Sequence, residues 1–204
     1  MTWHSSSHEV RDRVQTAFEI VAREPFLPRR QRRYAGEDRP LEIGHGQTNS
    51  QPRTVRAMLE YLDPRPGDRV LDVGCGSGWT TALLGELVGP DGLVVGIELV
   101  PQLAKAARHN LTGAGEHIRV LAAEPDVLGA PDLAPFDKIL VSAQARAMPD
   151  PLVQQLEIGG RLVAPVRGVM TVVDRLGEDE VSIRRMGRYA FVPLVWQPPP
   201  DSSG

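Results

Sequence analysis

"VLDVGCGSGW", Val70–Trp79, decides how the rest of the chain is read. An apolar run interrupted by one acid leads into three glycines at alternate positions, Gly74, Gly76 and Gly78, and a helical run opens at Trp79. A strand ending in glycines turns tightly, because glycine tolerates positive φ and presents no side chain to a ligand. The helix that follows aims free N–H groups at whatever lies beyond the strand. Such a turn cradles polar or anionic cofactor groups. The spacing is G-x-G-x-G, whereas the dinucleotide fingerprint needs G-x-G-x-x-G, and Trp79 takes that last place. Asp72, two residues before the first glycine, would repel a pyrophosphate and suits a ligand carrying an ammonium or sulfonium charge.

Working outward, "LVVGIE" (Leu93–Glu98) is a second strand, with Glu98 at its end about twenty residues beyond the loop. A carboxylate there accepts hydrogen bonds from both hydroxyls of a ribose. Loop and acids together resemble the first motif of S-adenosylmethionine-dependent methyltransferases. Further strands read at "HIRVLAA", "FDKILVSA" and "GGRLVAPV", with helices from Trp79 to Val88, from Pro101 through Leu111, and within "MPDPLVQQL". Strands alternating with short helices predict a mostly parallel sheet covered on both faces.

Upstream, Val10, Val14, Ala17, Phe18 and Val21 recur at helical spacing behind a capping box at Ser6 and Glu9. Val55, Met58, Leu59 and Leu62 define the apolar face of a second helix. Between them "RRQRRYAGEDRP" lacks a period, and its arginines read as solvated surface. Downstream, "VMTVVDRL" and "VSIRRM" flank "GEDE" as a β-hairpin, "YAFVPLVW" reads as one more strand, and "QPPPDSSG" as a disordered tail.

The predicted architecture is therefore a Rossmann-like α/β sandwich of the class I methyltransferase kind, with C-terminal antiparallel strands and an N-terminal helical extension. It forms one domain over 1–204, divided as 1–62, 68–166, 167–196 and 197–204. A net charge of −3 over 204 residues gives no general pull toward nucleic acid or an anionic membrane. The single cysteine, Cys75, excludes an internal disulfide and fits a reducing compartment. With neither a signal pattern nor an 18-residue apolar run, the expectation is a cytoplasmic protein, a monomer, with no nucleic-acid, membrane or metal partner. The histidines other than His45, namely His4, His8, His109 and His117, show no metal-ligand spacing.

The acceptor side is sought in "IGHGQTNSQP", Ile43–Pro52. Gln51 as N-cap and Pro52 as first helical residue would leave free N–H groups bearing roughly half a positive charge. Ser50 stands on their rim, with Arg53 and Arg56 nearby. That setting favours a carboxylate, which is ionised at neutral pH and needs no base before attacking a methyl group.

"EDRPLEIGHGQTNSQP", "PGDRVLDVGCGSGWTTALLGELVG", "APFDKILVSA", "GGRLVAPV" and "FVPLV" closely resemble protein-L-isoaspartate O-methyltransferases, in order and from about residue 14 to 196. The resemblance implies methylation of the α-carboxylate of L-isoaspartyl residues in aged proteins, with collapse of the ester to a succinimide. It implies that Ser50 is the catalytic serine holding that carboxylate, and that Gln47 and Thr48 border the same cleft. Gly74, Gly76, Gly78 and Glu98 would hold S-adenosyl-L-methionine together with Asp72. The "FVPLV" segment, with Val192, Pro193 and Leu194, would hold the substrate backbone.

The chain departs from the family at three places. Its usual "TIS" is "TNS", so Asn49 puts an amide where an apolar side chain is expected, facing solvent or altering the acceptor. Its usual Gly-Asp-Gly is Ala123-Glu124-Pro125, leaving Glu124 to reach the adenine amino group, and "TAA" is "SAQ" at Ser142–Gln144. His45 reads as structural or cleft-lining. The competing readings are a carboxylate methyltransferase that tailors a particular peptide or other acceptor, and a non-catalytic cofactor-binding module.

Overall fold

The computed structural model describes residues 3–196. The N-terminal helix α1 (Trp3–Ile20) is already formed at Trp3, so Ser6 lies inside it and the predicted capping box does not mark its start. Serine is tolerated within a helix and cannot force a boundary. Two short 3-10 turns, Glu24–Phe26 and Arg32–Tyr34, follow. Next comes a hairpin that the sequence reading missed, β1 (Leu41–Gly44) against β2 (Gln47–Asn49). Its turn residues His45 and Gly46 have φ of 53° and 71°. Positive φ at both central positions is what a tight two-residue hairpin requires, which accounts for Gly46.

Helix α2 (Pro52–Leu62) buries Val55, Met58, Leu59 and Leu62, the face predicted for it. The alternating core then runs through β3 (Arg69–Val73), α3 (Trp79–Val88), β4 (Leu93–Glu98), α4 (Pro101–Asn110), β5 (Ile118–Ala122), β6 (Phe136–Val141), α5 (Asp150–Gln154) and β7 (Leu156–Val166). The predicted hairpin is β8 (Val169–Arg175) and β9 (Val181–Arg188). These strands form one seven-stranded sheet in the order β5-β4-β3-β6-β7-β8-β9. It is parallel from β5 to β7 and antiparallel thereafter.

The segment expected as a last strand, residues 189–196, is not one. It is extended chain held by the backbone of Gln144, whose N–H donates to Val192 and whose carbonyl accepts from Leu194, both at 2.8 Å. Pro193 lacks a donor and so interrupts any ladder. The proposed disordered tail, 197–204, lies outside the described residues.

Strand alternation divides the core. Val70, Val94, Leu140 and Val163 face a cluster covered by residues from α1, α2, α3 and α4. Leu71, Val73, Ile139 and Leu162 face a second cluster that includes Leu152 of α5. The N-terminal helix docks through Trp79, whose indole N–H donates to Val21 O at 3.3 Å and whose ring meets Phe18 edge-on at 5.4 Å. That docking carries the residues after α1 up to the glycine loop.

Candidate active site

The chain leaves β3 for β4 and β5 on one side and returns to β6 on the other, so the C-terminal ends of β3 and β6 flank a topological switch point. Ligands bind in such crevices in open α/β sheets. An open cleft lies there, lined by Val73, Gly74 and Gly76, by Ile97 and Glu98, and by Ser142 and Ala143. Gln47 and Thr48 of β2 close one side, and Val192, Pro193 and Leu194 close another.

Glu98 is 6% exposed and both of its oxygens are already engaged. Oε2 accepts from Gly76 N at 2.8 Å and Oε1 from Val100 N at 2.9 Å. A carboxylate oxygen accepts more than one hydrogen bond, so Glu98 is fixed in place and keeps acceptor capacity toward the cleft. Residues 74–76 reach the same wall without side chains in the way. Fixed carboxylate, bare loop backbone and apolar walls at Val100, Val127 and Leu128 together fit a ribose-bearing, partly apolar cofactor.

Three predicted contacts are placed elsewhere. Asp72 is completely buried and absent from the cleft wall. It shares Val70's face of β3, turned toward α3, and accepts from Thr81 Oγ1 at 2.7 Å and Ser142 Oγ at 3.2 Å. Burial pushes its carboxyl up to about 6, opposed by the Thr81 and Ser142 hydrogen bonds and assisted by the nearby Glu98 charge. It braces the loop from below and does not face a ligand cation.

Gly78 stands at the N-cap of α3 with φ of 92°, outside the cleft. A Cβ there would lie 3.1 Å from Leu111 Cδ1 and 3.3 Å from Ala107 Cβ, so this glycine serves the close approach of α3 and its neighbour. Glu124 is exposed and does not line the cleft, whose corresponding end is built from Ala123, Val127, Leu128 and Gly129.

Cys75 is buried within the loop, and its thiol is pushed well up by burial and by the Asp72 and Glu98 charges. His45 is exposed at the hairpin turn and lines none of the cavities described here.

A second groove adjoins the first. It is lined by Pro40, Thr48, Ser50, Gln51, Thr54, Ser142, Ala190, Phe191 and Val192, so Thr48, Ser142 and Val192 belong to the walls of both. Ser50 is half-buried here. The start of α2 differs from expectation. Gln51 is the N-cap and Pro52 the first helical residue, as predicted, yet Arg53 N donates to Asp38 Oδ1 at 2.9 Å. The amide of Gln51 also donates to Asp38 Oδ2, at 3.0 Å. The chain's own carboxylate thus takes the place envisaged for the acceptor. That backbone hydrogen bond leads the effects holding Asp38 below the usual carboxylate range.

Asn49 neither faces solvent nor lines the acceptor groove. It is 6% exposed and hydrogen-bonded to Arg23 and to Ser77 of the glycine loop. Sequence reasoning missed Arg23, Ser77 and Ser142 as parts of the site. Only the altered "SAQ" triplet drew attention to Ser142.

Fold and cleft define a class I S-adenosylmethionine-dependent methyltransferase. Comparison with known proteins narrows this. A family model described as Protein-L-isoaspartate(D-aspartate) O-methyltransferase matches residues 3–198. The Aeropyrum pernix protein-L-isoaspartate O-methyltransferase is 45% identical over 189 residues, covering 90% of this chain and 72% of that protein. Its Methanopyrus kandleri counterpart is 44% identical over 190 residues, covering 90% and 84%. The chain belongs to the protein-L-isoaspartate O-methyltransferase family. A solved structure bearing that name superposes with a TM-score of 0.82 at 25% identity, over 94% of this chain and 64% of that one. A Plasmodium falciparum structure, described as a candidate member in complex with S-adenosyl-L-homocysteine, shares the fold with a TM-score of 0.81 at 23% identity, over 93% and 96%.

Proposed function

We propose that this enzyme transfers the methyl group of S-adenosyl-L-methionine to the α-carboxylate of L-isoaspartyl residues in damaged proteins or peptides, in the cytoplasm. The observation that carries the reading is the junction of two cavities. One ends on a fixed carboxylate suited to a ribose, the other holds Ser50, and Thr48, Ser142 and Val192 stand in both walls.

The cofactor, when bound, supplies an electrophilic methyl on a sulfonium. Glu98 and the backbone of Gly74 and Gly76 would hold it, with Gln47 and Thr48 at its side. Among the described residues, no titratable side chain lines the acceptor groove. An amine or alcohol acceptor needs a base to take its proton, whereas a carboxylate arrives ionised. The groove therefore favours an acid acceptor, and the work left to Ser50 is orientation: its hydroxyl donates to the carboxylate and aligns it. Residues 190–194 would lie along the substrate backbone. In-line transfer between held partners draws most of its acceleration from placement.

Two departures motivate a different acceptor, Ala123-Glu124-Pro125 and Asn49, of which Asn49 adjoins Ser50. Asn49 itself is absent from the acceptor groove wall, which leaves isoaspartyl repair as the better-supported reading. The test is methyl incorporation into an isoaspartyl peptide and its aspartyl isomer. Strong preference for the isoaspartyl form is expected; equal rates would refute the repair function.

A further inference from the structure

Arg23 follows α1 directly and its guanidinium is turned inward, with the whole residue 5% exposed. Its Nε donates to Asn49 Oδ1 at 2.7 Å. Nη2 donates to the carbonyls of Arg39 (2.9 Å), Asn49 (3.1 Å) and Ser50 (2.9 Å). Nη1 donates to those of Glu37 (3.0 Å) and Ala35 (3.4 Å). None of these acceptors is a carboxylate. The charge is met by carbonyl dipoles and by the Trp79 ring, 5.3 Å from the guanidinium carbon. Burial lowers its pKa to about 10, helped by the Arg39 charge and opposed by Asp38, so it remains charged at neutral pH.

Because a guanidinium only donates, it fixes the Asn49 amide with its oxygen toward Arg23. The amide nitrogen is thereby directed the other way, where it donates to Ser77 Oγ at 3.3 Å. Ser77 is itself 5% exposed, and its carbonyl accepts from Asn110 Nδ2 at 3.0 Å. A buried charge of this kind is costly, and a well-packed apolar filling is often at least as stable. What the polar version provides is direction. It ties the backbone of Ser50 to the loop between Gly76 and Gly78.

We infer that Arg23 and Asn49 are positioning residues that lock the acceptor serine to the cofactor loop, so that the two cavities keep a fixed spacing. This rests on the role proposed above for Ser50. Neither residue lines the donor cleft or the acceptor groove. Breaking the link leaves each cavity usable and spoils their alignment.

The experiment measures kcat, KM for an isoaspartyl peptide, and S-adenosyl-L-homocysteine binding by calorimetry, with kcat normalised to the binding stoichiometry so that unfolded protein is not counted. Asn49→Leu should lower kcat by about 10- to 100-fold, the usual scale for slight misplacement of reacting groups. Its KM and homocysteine-product affinity should stay within about 3-fold of the parent. Asn49→Asp should recover most of the rate, since Arg23 can still donate to it and the Ser77 hydroxyl can turn to donate as well.

Ser77→Ala leaves Arg23 fully paired and provides the same measurement should Asn49→Leu not fold. The double variant should be no slower than the slower single one. Multiplying effects, an unchanged kcat, or product affinity falling in step with kcat would each overturn the link. If Ser50→Ala leaves kcat intact, it is the functional reading that fails. If Ser50→Ala is slow while Asn49→Leu is not, only the link fails.

Discussion

The donor side and the acceptor side of this molecule are built in different ways. The donor cleft is made from the ends of β3, β4 and β6, whose positions are set by parallel pairing and two apolar clusters. The acceptor side is made from a short hairpin, a helix start and an extended C-terminal segment. Hydrogen bonds hold these to Arg23 in one direction and to the Gln144 backbone in the other. Packing supports both halves, with Leu41 and Ile43 of the hairpin in a small apolar cluster beside Leu27 and Leu103, and the acceptor side adds directed polar contacts. Loss of a packing contact is shared among neighbours, whereas loss of a buried polar partner leaves another group unsatisfied.

The largest expected effect probes that contrast directly. Arg23→Ala strips donors from five carbonyls in two segments and should cost about 3–5 kcal/mol of stability, read as a lowered midpoint in denaturant. A loss below about 1 kcal/mol would mean that packing alone holds this side. Ser50→Ala should cut turnover by about 100- to 1,000-fold, the scale found for removing one oriented donor at a reacting group. Product affinity should barely move, and a parallel loss of both would give Ser50 a folding or cofactor role. Glu98→Ala removes the charged acceptor from the donor cleft and frees two amides, so S-adenosyl-L-homocysteine affinity should drop about 100-fold by calorimetry.

Asp72 supplies a pH-dependent comparison. Its folded pKa is raised to about 6, above an unfolded value near 3.9, so its contribution to stability is full below about pH 4 and is lost as pH rises through 6. Asp72→Asn keeps the partners of Thr81 and Ser142 and removes the titration. Its stability relative to the parent should therefore grow by about 2–3 kcal/mol between pH 4 and 7, measured as paired denaturation curves across that range. A constant difference would refute the assignment. The smallest effect is His45→Asn. Asparagine tolerates positive φ, so stability should change by under about 0.5 kcal/mol and turnover by less than about 2-fold. A marked rate loss would restore the histidine as a participant.

What the sequence disclosed follows the same division. Glu98, the apolar face of α2 and the strands of the parallel core were legible because burial in repeating elements leaves a period. The β1–β2 hairpin was not, since strands of four and three residues show no alternation and its glycines resembled ligand contacts. Arg23 stands in "REPFLPRR" among other arginines, and nothing in that string tells the buried one from the solvated ones. Its partners come from residues 35, 37, 39, 49 and 50, a convergence visible only in three dimensions. Asp72 was within reach: counting by twos from buried Val70 already turns it toward α3. Residues 189–196 have strand composition, but Pro193 and backbone pairing confined to Gly168 and Gln144 leave them short of one.

Cys75 bears on how such a protein ages. The one sulfhydryl in the chain is buried, and burial first, with the Asp72 and Glu98 charges second, holds it protonated. Peroxides and disulfide exchange act on exposed thiolates, so storage without reductant should leave the catalyst's sulfhydryl untouched while the proteins around it accumulate damage.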